Sequence, residues 1–155
     1  MDITFIPMQK EFMYLVAIID LQSRYFLNWS VSNSVDAKSC KEILEEAIDN
    51  YGTPEIINTY QGGQFASEIF THSVLSRKIK LSMDGKGRAI DNVFIGRLWR
   101  NVKHESIYLN PQESGINLYW QLGTYFSFYN YKRRHQRIEN EIPINQYLKL
   151  RRNAA

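Results

Sequence analysis

Residues 54–65, PEIINTYQGGQF, set a short run of strand formers against a paired glycine. Helical periodicity lies on both sides of the stretch. An apolar run of this length that stops at Gly62-Gly63 reads as a buried strand entering a loop. A strand flanked by helices cannot be joined to its neighbours by tight hairpins. It demands crossover connections, and with them an α/β architecture with a partly parallel sheet.

The rest of the chain fits that demand. Asp2-Ile3-Thr4-Phe5-Ile6 alternates polar with apolar and then meets Pro7, as a strand closed by proline does. It begins almost at Met1 and looks cut short. Residues 12–20, FMYLVAIID, form a strongly apolar strand, and residues 24–32, RYFLNWSVS, a third strand after a turn at 21–23. Three strands joined by short turns predict an antiparallel meander. Asp36 then caps a helix whose apolar face is Cys40, Ile43, Leu44, Ala47, Ile48 and Tyr51, and Gly52 with Pro54 ends it. After the strand at 55–59, Ser67 caps a second helix that runs to about Arg77. Residues 79–83 form a fifth strand, and Asp84-Gly85-Lys86-Gly87-Arg88 a flexible basic loop. A third helix spans Ile90 to about Glu105, with Ile90, Phe94, Leu98 and Val102 on one face. A long aromatic helix spans Gln112 to about Arg133, and a short segment from Ile142 to Leu150 folds back on the core.

Composition bounds the class. A chain of 155 residues with 44% hydrophobic content suits one domain, expected over residues 1–150 with a tail at 151–155. The single cysteine, Cys40, excludes a disulfide framework within the chain and suits a buried position in a reducing compartment. No apolar run is long enough to span a membrane, and a cytoplasmic location is expected. The net charge of +3 conceals an asymmetry: residues 1–76 hold 4 Lys/Arg and 10 Asp/Glu, and residues 77–155 hold 15 Lys/Arg and 6 Asp/Glu. A basic half with interleaved aromatics outlines a nucleic-acid partner, and charge alone reads equally as solvated helix faces.

The order of three strands, helix, strand, helix, strand and helices is the ribonuclease H-like order. The expected sheet is mixed and five-stranded, flanked by helices, with a helical C-terminal extension. In that arrangement residues 2 and 60 stand at neighbouring strand ends, and a residue of the third helix completes a three-point site. Several stretches then resemble the integrase-like (rve) catalytic core of bacterial insertion-sequence transposases, which is related to retroviral integrases. They are DITFIP, YLVAIIDLQSR, YGTPEIINT, QGGQF, SMDGKGRAIDNVF, RLWRNVKHE, and YFSFYNYKRRHQ with IPINQYL after it.

That resemblance implies a DNA strand-transfer enzyme with an Asp-Asp-Glu triad and two divalent metals, Mg²⁺ or Mn²⁺. Such metals clamp the attacking and leaving oxygens of an in-line displacement and need anionic oxygen ligands. By the resemblance the first carboxylate is Asp2. The second position is Tyr60 and the third is Gly96, with the 35 residues 61–95 between them. A neutral phenol is a poor ligand for a hard cation, and glycine offers none. The expectation is a degenerate copy that is catalytically inactive, with metal binding at Asp2 weak or absent. Replacement by another carboxylate is disfavoured: on the third helix Asp91 lies about 140° and Glu105 about 180° from Gly96. Asp20 and Asp84 are the other carboxylates within reach.

Lys86, Arg88, Arg97, Arg100 and Lys103, and the run Lys132, Arg133, Arg134 and Arg137, are the expected nucleic-acid contacts, through phosphates. His135, inside that run, reads as a helix-end or phosphate-facing residue rather than a catalytic base. Tyr119, Tyr125, Phe126, Phe128, Tyr129 and Tyr131 read as core rather than as a base-stacking platform, and Trp29, Trp99 and Trp120 as packing residues. The partners implied are DNA and a further copy, or an intact transposase in a mixed assembly. A regulatory DNA-binding module and a non-functional gene remnant are the alternatives. The N-terminal DNA-end recognition region of a full transposase is expected to be absent.

Overall fold

The structure, a computed structural model, describes residues 1–84 and 89–154, and the side chains of all of these except 84 and 89–94. Lys86 and Arg88 therefore lie outside the described residues, as do the side chains of Asp84, Ile90, Asp91 and Phe94.

β1 (Asp2–Pro7), β2 (Phe12–Ile19) and β3 (Phe26–Ser32) form the antiparallel meander. Asp2 lies opposite Ala17 and Pro7 opposite Phe12, and the β2–β3 register shifts between Ile18 and Ile19. Side chains alternate across a strand, so β2, apolar throughout, feeds two cores. Leu15 and Ala17 pack with Ile6, Phe26, Leu98, Val102 and Leu122 on one face. Val16 and Ile18 pack with Cys40, Leu44, Ile57, Phe65 and Phe70 on the other. The meander is thus the middle of three layers.

α1 (Ala37–Tyr51) starts where the Asp36 carboxylate accepts the Ser39 N–H at 2.7 Å. It ends at Gly52, whose φ of +90° a residue with a Cβ rarely adopts. β4 (Ile56–Tyr60) follows and pairs in parallel with β5 (Lys80–Asp84), Tyr60 opposite Asp84. The crossover between them holds α2 (Gly63–Ala66), a single turn where the sequence predicts only a loop, and α3 (Glu68–Ser76), capped by Ser67.

One continuous five-stranded sheet is not what the pairing forms. The ladders are separate, three strands antiparallel and two parallel. At the start of β1 a bond from the Met1 amine to the Asn58 carbonyl, 2.8 Å, ties the two ladders together.

α4 (Ala89–Val102) continues as one π-helical turn, Lys103–Ile107. α5 (Gly115–Tyr131) is capped by Ser114, whose hydroxyl accepts the Asn117 N–H, and begins three residues later than Gln112. A 3₁₀ turn at Gln136–Ile138 leads to α6 (Pro143–Ala154), which runs past Leu150 to Ala154. α5 is clamped to the meander by Asn130. Its side-chain oxygen accepts the Phe26 N–H at 2.8 Å and its amide donates to the Phe26 carbonyl at 3.0 Å. Tyr125, Phe126 and Tyr129 are core, as expected, whereas Tyr119, Phe128 and Tyr131 are exposed. Trp99 is buried, but Trp120 is 68% exposed and is not a packing residue. A helix of 17 residues packed along one side can bury only one stripe, so aromatics on its other side remain in solvent.

Candidate functional site

Asp2 opens β1, Tyr60 closes β4, and α4 crosses above both. Asp2, Tyr60 and Ile95 line one cavity of about 510 Å³, whose remaining wall includes Leu27, Leu44 and Ile48. Trp99 Nε1 donates to Asp2 Oδ2 at 2.8 Å. Gly96 stands three residues before Trp99 on α4 and is not among the residues that line this cavity. Two of the three positions of the expected triad, Asp2 and Tyr60, share this cavity.

Their chemistry differs from a carboxylate cluster. The Tyr60 ring stands edge-on to Phe65, with centroids 5.4 Å apart. It also lies over Gly62, where an added Cβ would come within 2.5 Å of ring atoms. Burial raises the phenol pKa above its ordinary value, and the charges of Asp2 and Cys40 add to the rise. The group at position 60 is therefore a neutral phenol at any physiological pH. Gly96 is exposed, with nothing within 4 Å of the place a Cβ would occupy. The donor set is one carboxylate, already accepting from an indole N–H, one neutral hydroxyl and a bare backbone. It does not fit a pair of divalent cations. Among the described residues no three His, Cys, Asp or Glu side chains are grouped to hold a metal ion.

Of the other candidate carboxylates, Asp20 and Glu105 are engaged, and the side chains of Asp84 and Asp91 lie outside the described residues. Asp20 Oδ2 accepts the Ser23 N–H at 2.8 Å and the Ser23 hydroxyl. Glu105 accepts from Arg133 Nε and from the Tyr125 hydroxyl, each at 2.8 Å. Burial pushes the Glu105 carboxyl up, and the bonds from Arg133 and Tyr125 outweigh it, so its pKa is lowered.

Arg97, Arg100, Arg133, Arg134 and Arg137 line a second cavity, of about 590 Å³, with His135 and Gln136. Lys103 and Lys132 are not among its walls, and burial lowers the Lys103 pKa. Arg24 also lines it, and its position in the sequence gives no sign of this. It sits in the β2–β3 turn at φ +65°, which only the folded turn reveals. Ile19 borders both cavities.

An integrase core domain profile matches residues 1–89, more than half of the chain, and a second integrase core domain profile matches residues 77–143. The chain belongs to the integrase core domain family. Among its relatives is the transposase InsF for insertion sequence IS3A of Escherichia coli K12, 29% identical over 109 residues, which are 69% of this chain and 38% of the transposase. Another is the transposase for insertion sequence element IS904 of Lactococcus lactis, 27% identical over 145 residues, 92% of this chain and 57% of the relative. The chain thus spans well under two thirds of these transposases. The catalytic core domain of BIV integrase superposes with a TM-score of 0.75 at 15% identity, over 99% of this chain and 95% of that one. The HTLV-2 integrase catalytic core domain in complex with magnesium gives 0.69 at 19% identity, over 92% and 89%. These likenesses show the fold. The integrase core expected from the sequence is borne out, and the insertion-sequence transposases are relatives that this chain is similar to.

Proposed function

We propose that this integrase core holds DNA without performing strand transfer, because two of its three metal-binding carboxylates are replaced. The single observation that carries this is the donor set at Asp2, Tyr60 and Gly96. A hydrated Mg²⁺ or Mn²⁺ gives up water only to anionic or strongly polar oxygens. One carboxylate shared with Trp99 cannot hold two such ions against solvent. Asp2 keeps its place in the site and has lost the two anions that would share a cation with it.

The frame around the site is intact, which makes the test two-sided. Calorimetric titration of the unmodified protein with Mn²⁺ is expected to show no saturable site. The double variant Tyr60→Asp with Gly96→Glu is expected to gain one, together with metal-dependent nicking of duplex DNA. Metal-dependent cleavage or joining of DNA by the unmodified protein would overturn the proposal.

DNA binding itself is supported by the basic cavity and by the family. Its mark is salt dependence, log K falling with log [salt] by about 0.9 for each phosphate neutralised. Assembly with another copy, or with an intact transposase, is favoured by exposed apolar side chains along α5 and just before it: Leu109 at 76%, Ile116 at 73% and Trp120 at 68% exposure. Light scattering on the unmodified chain and on Trp120→Glu tests this, with loss of a dimer expected in the variant. A monomer in both would remove the assembly.

A further inference from the structure

We propose that the cavity walled by both ladders, by α1 and by Ile95 of α4 binds a small organic amine, an apolar body carrying a protonated amino group. The proposal stands apart from the DNA reading, whose arginines line the other cavity. The volume of about 510 Å³ lies within the roughly 300–1,000 Å³ of small-molecule sites, which are mostly apolar with a few placed polar groups. Leu27, Leu44, Ile48, Ile57 and Ile95 supply apolar wall.

Thr59 is the observation that points to a ligand. It lines the cavity and is only 2% exposed. Its hydroxyl oxygen is buried and has no hydrogen-bond partner among the described residues. A buried hydroxyl in that state is costly, and such groups are uncommon in folded proteins. A bound molecule with an N–H group supplies the missing partner.

The wall selects the head group. Asp2 from β1, Asp20 from the β2–β3 turn and Glu55 just before β4 line the cavity, and among the described residues no Lys, Arg or His side chain does. Asp2 accepts from Trp99 and Asp20 from Ser23, both neutral donors. Two cations offset part of this charge. The Met1 amine is also on the wall, bonded to the Asn58 carbonyl, and the charge of Arg24 interacts with Asp20 from the other cavity. Offset is not reversal: the wall stays unfavourable to an anion and favourable to a cation. The field is felt by the phenol of Tyr60, whose pKa burial raises and the charge of Asp2 raises further. Tyr51 and Tyr60 both line the cavity, and tyrosine rings attract ammonium groups. Apolar walls, a hydroxyl in want of a donor and a negative balance together describe an amine on a hydrophobic body.

The test uses phenethylamine, with phenethyl alcohol and hydrocinnamate as its neutral and anionic counterparts, and follows the methyl resonances of Leu44 and Ile57 by NMR. The amine is expected to shift both saturably. The alcohol and the carboxylate are expected to bind at least about tenfold more weakly, as loss or reversal of one charged contact requires. Thr59→Val keeps the shape of the side chain and removes the hydroxyl. It is expected to bind the amine about tenfold more weakly and, having no buried unpartnered group, to unfold at higher denaturant than the unmodified chain. Ala47, 4% exposed and on the same wall, gives a second variant: Ala47→Leu takes up part of the space and is expected to weaken binding as well. No saturable shift with the amine, an unchanged affinity in Thr59→Val, or equal binding by the alcohol would overturn the site. Equal binding by spermidine, a polyamine without a compact apolar body, would overturn it too, since charge alone would then account for the response.

Discussion

Trp99 donates its indole N–H to the carboxylate of Asp2 at 2.8 Å and so fixes α4 over the first strand. The bond joins residues 97 positions apart. A hydrogen bond to a charged, half-buried acceptor is worth about 1.5–3 kcal/mol. Trp99→Phe keeps most of the packing and loses the donor. Its urea unfolding midpoint is expected to fall by an amount in that range, and an unchanged midpoint would show that the bond carries no weight.

Tyr60 and Gly62 are coupled through space. A Cβ at residue 62 would meet the Tyr60 ring at 2.5 Å, although the backbone of Gly62, at φ −110°, accepts any residue. Gly62→Ala is therefore expected to cost about 1–3 kcal/mol in the unmodified chain, by overpacking. In the Tyr60→Asp background the ring is gone and the cost should nearly vanish. A double-mutant cycle by denaturant unfolding reads the difference directly, and an additive result would refute the coupling.

Gly96 occupies an exposed helical position with open space around it. Glycine there costs roughly 0.8–1 kcal/mol relative to alanine. Gly96→Ala should raise the thermal midpoint, and Gly96→Glu should be tolerated as well. Destabilisation by either would mean that residue 96 faces a neighbour rather than solvent.

His135 and Glu105 make the fold acid-sensitive. His135 is held down to about 4, below its unfolded value, and Glu105 is also lowered. Groups depressed in this way contribute fully above their unfolded pKa and lose the contribution as pH falls through the folded one. For His135 the loss runs from about pH 6.5 toward 4 and amounts to about 1–2 kcal/mol after allowing for solvent screening. Unfolding free energies measured across that window should decline, and the decline should be shallower in His135→Gln.

Asn130 exchanges two hydrogen bonds with the backbone of Phe26 in a buried position. Asn130→Ala leaves both backbone groups of Phe26 without those partners, at about 1–3 kcal/mol for each buried group. Unfolding of that variant should begin at markedly lower denaturant than in the unmodified chain.

Much of this was legible in the residues themselves. Alternation in Asp2–Ile6, the apolar run of β2 and the capping signals at Asp36 and Ser67 each follow from local stereochemistry, and each element forms where its signal lies. The assignment of Tyr60 and Gly96 to the triad positions rests on the family resemblance and its spacing. Helix ends were less legible. α5 starts at Gly115 rather than Gln112, because the hydroxyl that accepts the Asn117 N–H belongs to Ser114. The exposure of Trp120 was not legible at all, since a helix that is aromatic on several sides does not reveal which side meets the core.

What the sequence by itself determined is the succession of elements and the α/β class, because these depend on periodicity, turn chemistry and side-chain type. What only the tertiary structure decided is who meets whom. Trp99 on Asp2, the Tyr60 ring over Gly62, Arg24 brought beside Arg137, and the division of five strands into two ladders all join residues far apart in the chain. Contacts of that kind arise from packing between elements, and no local pattern encodes them.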